Sequence, residues 1–247
     1  MIDIYADGAA MDGIVLSAKN KNIMGFTTNP SLMRQAGVTD YLAFTNDVLN
    51  FLKFERPDTN ISLEVFADDF DGMYRQALRL HELSERYDYP VYVKIPVTNT
   101  LGTSTRELVA MLLASKVQVN VTAVFTPKQT EEVLRAIGDN QTPSIISIFA
   151  GRIADSGNNA VNITKECIKL NTFHNTDKIK NKNVKFLWAS TRQAYNYNEA
   201  LEAGCDIITM TPDIIKKMGL QGKNLTDYSI ETVKMFYDDA VKSGFTI

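Results

Sequence analysis

The sequence is poor in the residues that build metal centres and disulfide frameworks. Its 247 residues include two histidines, His81 and His174, and two cysteines, Cys167 and Cys205. Neither cysteine stands in a metal-ligand spacing, and two are too few for a disulfide scaffold. No metal site is expected, and no oxidising compartment. Charge of one sign is scarce as well: the net charge is −3, with no basic block. That removes the electrostatic footprint of a nucleic-acid or anionic-membrane partner. No apolar run nears the ~20 residues that span a bilayer. The opening residues 1–7 carry acids where a signal peptide carries bases. The G-x-G-x-x-G fingerprint of dinucleotide sites is missing too, because the first strand-like run ends Ala6-Asp7-Gly8-Ala9-Ala10. These absences describe a reduced, cytoplasmic, metal-free protein.

What is present is strongly patterned. A 45% hydrophobic content is enough for a sizeable core. Eight β-branched apolar runs lie at 2–6, 23–26, 61–66, 91–95, 119–125, 145–150, 184–189 and 207–210. Helix-period segments follow them at 11–18, 41–53, 70–87, 103–114, 128–137, 160–170, 193–203 and 213–218. Asp40, Asp69 and Thr126-Pro127 are set to open helices, and Gly138 and Gly204 to end them. A last amphipathic stretch covers 226–243, and the polar segment 171–185 reads as an inserted or disordered loop. Alternating strands and helices imply parallel pairing. Eight units at this length predict an α/β protein, a single-domain (β/α)8 TIM barrel over 1–247, rather than an open sheet.

In such a barrel the active site lies at the C-terminal ends of the strands. The run Val91-Tyr-Val-Lys-Ile-Pro-Val-Thr98 is the one around which the rest is organised. Side chains alternate along a strand, so Val91, Val93 and Ile95 face the helices and Lys94 faces the interior. A buried ammonium is costly, which favours the neutral, nucleophilic amine that a Schiff base requires. The same parity carries Asp7 on the first strand, Glu64 on the third, Asn120 and Thr122 on the fifth, and Ser147 on the sixth. On the fifth strand, Val119, Val121 and Ala123 take the opposite side. The seventh leads through Trp188 to Ser190. Two segments suit an anion, Ser147-Ile-Phe-Ala-Gly-Arg152 and Ser190-Thr-Arg192. Their arginines could equally cap helices or pair with Asp155 or Glu199.

The ordered set Thr27-Thr-Asn-Pro-Ser31, Val93-Lys-Ile-Pro96, Asn120-Val-Thr122, Ser147-Ile-Phe-Ala-Gly-Arg152 and Ala189-Ser-Thr-Arg192 resembles the motifs of transaldolases. The resemblance runs from Asp7 to about Asp213. It implies class I aldolase chemistry on a barrel, with no metal or organic cofactor. Carried over, it makes Lys94 the Schiff-base residue and Asp7 the acid/base. Glu64 and Thr122 would hold the water of imine formation. Asn29, Asn120 and Ser147 would bind the dihydroxyacetone portion, and Arg152, Ser190 and Arg192 the phosphate. Ile148 stands where the family usually has proline, and Thr191 where it usually has an aromatic residue. The length is similar to the short subfamily, which shares its barrel with fructose-6-phosphate aldolase. In that aldolase branch glutamine replaces Glu64 and tyrosine replaces Phe149. Short members form ring-shaped homo-oligomers tied by the C-terminal helix, a role that would fall to residues 226–243. Transaldolase, aldolase and a non-catalytic sugar-phosphate-binding barrel are thus three expectations for one site.

Overall fold

Parallel strands are buried on both faces, so they need helices outside and a filled interior. The computed structural model, which describes residues 2–173 and 181–247, meets both requirements. Its strands are β1 (Asp3–Asp7), β2 (Ile23–Thr27), β3 (Ile61–Glu64), β4 (Val91–Pro96), β5 (Val119–Val124), β6 (Ser144–Ile148), β7 (Val184–Trp188) and β8 (Ile207–Met210). Each pairs in parallel with the next, and β8 returns to β1. The result is a closed (β/α)8 barrel. The helices are α1 (Met11–Ala18), α2 (Pro30–Gln35), α3 (Tyr41–Glu55), α4 (Phe70–Tyr87), α5 (Arg106–Ala114), α6 (Pro127–Ile137), α7 (Ala150–Asp155), α8 (Ala160–Phe173), α9 (Asn196–Ala203), α10 (Pro212–Met218) and α11 (Leu225–Ser243).

Local chemistry sets the helix ends. Asp40, Asp69 and Thr126 each accept a backbone N–H at the start of α3, α4 and α6, and Thr126 with Gln129 forms a capping box. Gly204 closes α9 in the left-handed conformation. Two helices, α2 and α7, have no counterpart in the sequence pattern, since six residues are too short to show a 3.6-residue period. The start of α7 also ends β6 at Ile148, two residues before the expected limit. Helix α9 begins at Asn196 because its side-chain oxygen accepts from the backbone of Arg192 and Gln193, holding those residues outside the helix. The segment 171–185 is not a loop at its ends: α8 runs to Phe173 and β7 starts at Val184. Residues 174–180 lie outside the described residues.

Two apolar layers hold the barrel. The larger lies between strands and helices, where Val93, Ile95, Val121 and Ile146 meet Leu49, Leu80, Leu108 and Leu112. The smaller lies inside the barrel, where Tyr5, Ile145 and Ile207 pack beneath Leu187 and Ala189, which reach the cavity above. Tyr5 needs Gly25 on the next strand, because a Cβ there would lie 2.6 Å from the tyrosine ring. Asn60 donates to the Tyr5 hydroxyl at 2.8 Å. With the lower half plugged by hydrocarbon, polar side chains of inward parity are left at the upper rim. Among the described residues no helix is long and apolar enough to cross a membrane. Helix α11 is different from the rest: none of its residues is buried.

Candidate active site

Sheet register builds the upper rim. Glu64 stands directly beside Lys94 across β3 and β4, and Lys94 beside Asn120 across β4 and β5. On the other side, Asp7 is in register with Thr27. These residues line a cavity of about 530 Å3 at the strand C-termini. All eleven residues singled out in the sequence line it: Asp7, Asn29, Glu64, Lys94, Asn120, Thr122, Ser147, Phe149, Arg152, Ser190 and Arg192.

Lys94 is the most buried charged side chain lining the cavity. Its Nζ lies 2.8 Å from Glu64 Oε2 and donates to the Thr28 carbonyl, also at 2.8 Å. The two side chains of the pair are 7% and 16% exposed. The lysine, expected from the sequence to respond to burial as a neutral amine beside Glu64 and Asp7, is here paired directly with the Glu64 carboxylate. Removing one partner of such a pair typically costs about 3–5 kcal/mol, because the other is left buried and unpaired. Tyr41 donates to the Glu64 carbonyl at 2.8 Å and so pins the end of β3.

Asp7 sits across the cavity in a different setting. Burial pushes its carboxyl above the ordinary carboxylate range; the Lys94 charge and a hydrogen bond from Thr27 pull it back, and Glu64 adds to the rise. Thr27 Oγ1 donates to Asp7 Oδ1 at 2.7 Å and also touches Thr209 Oγ1. Two carboxylates thus flank one amine in unlike surroundings, an arrangement suited to dividing proton transfers.

The polar floor is ordered. Ser147 donates to Asn120 Oδ1 at 2.7 Å, and Asn120 Nδ2 donates to Ser62 Oγ at 3.1 Å. That chain fixes the carboxamide orientation. Thr122 Oγ1 is buried without a protein hydrogen-bond partner among the described residues. Asn29 caps α2, its side chain accepting from Leu32 N at 3.0 Å. Beyond Thr122 the strand departs from simple alternation. A register shift lies between Val121 and Val124, Ala123 takes φ 58°, and Ala123 lines the cavity instead of facing the helices. A bulge re-aims side chains in this way and leaves no mark in the apolar pattern.

The anion segments meet at the rim. The guanidinium of Arg152 lies 5.7 Å from the centre of the Phe149 ring. Arg192 donates through Nε and Nη2 to Asp155 Oδ2, at 2.8 and 2.6 Å. Of the two acids considered for pairing, Asp155 is the partner, and Glu199 instead accepts from Asn196. Ser190 adopts φ 65°, and α7 approaches it so closely that a Cβ on Gly151 would lie 1.6 Å from the Ser190 carbonyl oxygen. Glycine is required there.

Several lining residues were assigned no role from the sequence, among them Thr27, Gln35, Thr191 and Thr209. Thr209 has inward parity in Ile-Ile-Thr-Met, and that parity was its available signal. Among the described residues no cluster of three or more His, Cys, Asp or Glu is placed to hold a metal ion.

Solved structures share the fold at low identity. A monomeric dihydrodipicolinate synthase variant superposes with a TM-score of 0.56 at 10% identity, over 84% of this chain and 68% of that one. A phosphoenolpyruvate phosphomutase from Streptomyces platensis gives 0.52 at 11%, over 99% and 84%. Sequence relatives are nearer. A probable transaldolase from Caldicellulosiruptor saccharolyticus is 30% identical over 85% of this chain and 84% of its own. Others from Roseiflexus castenholzii (30%, covering 93% and 94%) and a Thermoanaerobacter species (28%, covering 98% and 99%) match nearly end to end. The profile described as Transaldolase/Fructose-6-phosphate aldolase matches residues 4–247. By that match the chain belongs to the transaldolase/fructose-6-phosphate aldolase family.

Proposed function

We propose that this protein is a transaldolase that moves a dihydroxyacetone unit between sugar phosphates through a Schiff base on Lys94. The observation that carries the reading is the Lys94 amine, buried and held 2.8 Å from Glu64, with Asp7 lining the same cavity. Glu64 takes the ammonium proton, the neutral amine attacks the ketose carbonyl, and the adduct's nitrogen passes one proton to its oxygen to give the carbinolamine. Glu64 then returns a proton to the carbinolamine oxygen, which leaves as water; the buried Thr122 hydroxyl offers that water a partner. The product is a protonated imine. Asp7 takes the proton of the hydroxyl on the far carbon of the bond to be broken. The O–H electron pair becomes the new aldehyde C=O, and the C–C pair moves toward the imine nitrogen to give an enamine. The aldose phosphate leaves. An acceptor aldose phosphate runs the same steps backward, with Asp7 returning the proton.

Asn29, Asn120 and Ser147 hold the hydroxyls of the dihydroxyacetone portion. Arg152, Ser190 and Arg192 hold the phosphate at the rim, where planar guanidinium groups suit its oxygens. The enamine waits for an acceptor because Phe149 offers no hydroxyl to position a protonating water. A fructose-6-phosphate aldolase would differ at this one step, releasing free dihydroxyacetone. A pure binder would gain nothing from a desolvated amine between two acids. In the forward direction sedoheptulose 7-phosphate and glyceraldehyde 3-phosphate give erythrose 4-phosphate and fructose 6-phosphate. A cytoplasmic setting goes with soluble substrates and chemistry that needs no disulfide. Helix α11, whose Ile230, Val233, Phe236 and Val241 are exposed, is the surface for self-association into a homo-oligomer.

The test is turnover of fructose 6-phosphate with and without erythrose 4-phosphate. Strong acceleration by the acceptor supports transfer. Equal release of dihydroxyacetone in both conditions supports the aldolase.

A further inference from the structure

The hydrogen bonds around Asp7 have a direction. An ionised carboxylate only accepts, so the Thr27 hydroxyl proton points at Asp7 Oδ1, 2.7 Å away. A hydroxyl has one proton, and that of Thr27 is thereby committed. Its contact with Thr209 Oγ1 then requires Thr209 to be the donor. The two threonines lie on β2 and β8, the strands on either side of β1, and are 3% and 5% exposed. Thr209 is itself held in place: it is in register with Tyr5 of β1, and its carbonyl accepts from Thr191 Oγ1 at 3.0 Å.

We propose that Thr209 is a positioning residue for Asp7: its hydroxyl donates to Thr27 Oγ1 and holds the Thr27 proton on the carboxylate. The proposal rests on the reading of Asp7 as the acid/base. Three groups besides Thr209 bear on the balance. Lys94 from β4 and the Thr27 hydroxyl from β2 favour the ionised form, and Glu64 from β3 opposes it, in the same direction as burial. A hydroxyl that accepts one hydrogen bond donates a stronger one, so Thr209 adds to the side of Thr27. The protonated form gains less, because its proton can sit on the second carboxyl oxygen while Thr27 still donates to Oδ1. Thr209 therefore acts mainly on the anion, the form that accepts the substrate hydroxyl proton.

The test is the pH profile of kcat/KM for fructose 6-phosphate with erythrose 4-phosphate, measured on wild type, Thr209→Val and Thr209→Ser. Valine keeps the shape and removes the hydroxyl; serine keeps the hydroxyl. The acid limb should move up by roughly 0.5–1 pH unit in Thr209→Val, the scale set by one lost hydrogen bond. Thr209→Ser should keep the wild-type limb. An unmoved limb in Thr209→Val, or an equal displacement in Thr209→Ser, overturns the proposal. Should the valine variant fail to fold by circular dichroism, Thr209→Ala removes the same hydroxyl and is held to the same outcomes. Wild-type protein with no acceptor-dependent turnover would overturn the catalytic reading of the site, and this proposal with it.

Discussion

Replacing Arg192 should separate donors by their phosphate. In the resting protein its guanidinium gives two hydrogen bonds to Asp155, with both side chains about half exposed at 46% and 52%. Solvent screens such a pair, so Arg192→Ala should leave the fold nearly as stable as before. A phosphate at the rim is a different partner. A charge-assisted contact to it contributes about 1.5–3 kcal/mol, equivalent to a roughly ten- to hundred-fold change in affinity. The half-exposed position and the competing Asp155 carboxylate place the expected effect near the lower end, about ten-fold. Dihydroxyacetone used as donor has no phosphate to lose. Steady-state kinetics should therefore show KM for fructose 6-phosphate rising about ten-fold in Arg192→Ala, while KM for dihydroxyacetone changes by less than about two-fold. Equal losses for both donors would refute the argument and make Arg192 a structural partner of Asp155.

Three other outcomes follow from the same geometry. Burial raises the Asp7 carboxyl, so the folded protein binds that proton more tightly than the unfolded chain, whose value is about 3.9. Stability should fall as pH rises through the carboxylate range, and Asp7→Asn should raise Tm at pH 7 by an amount that vanishes in acid; a Tm difference independent of pH would contradict this. Phe149→Tyr places a hydroxyl by the enamine and should raise dihydroxyacetone release without acceptor several-fold; an unchanged ratio of release to transfer would remove Phe149 from the account. Deleting residues 225–247 should convert an oligomer to a monomer in sedimentation velocity, since no residue of α11 is buried on the single chain; an unchanged sedimentation coefficient per mass would move the interface elsewhere.

The barrel was legible because strand parity and strand–helix alternation are both written in single residues. Val93 and Ile95 against Lys94, or Val119 and Val121 against Asn120, show which side is which without reference to any partner strand. The same parity brought together Asp7, Glu64, Lys94, Asn120 and Ser147. What it left out depends on closure or on local backbone geometry. Thr209 reaches Thr27 across 182 residues, a contact that exists only once β8 returns to β1. The bulge that turns Ala123 into the cavity, and the six-residue helices α2 and α7, are too local to change a periodic pattern. The Arg192–Asp155 pair was one of two open choices, and the turn of Ser190 into positive φ decides how that loop meets α7.

The central claim is that Lys94 carries the substrate covalently. Borohydride added in the presence of fructose 6-phosphate should reduce the imine, and mass spectrometry of the digested protein should find the dihydroxyacetone-derived mass on the peptide containing Lys94. Lys94→Arg should show none, since a guanidinium does not deprotonate at usable pH. An adduct on Lys53 or Lys116 in its place, or no adduct under conditions of full turnover, would contradict the account.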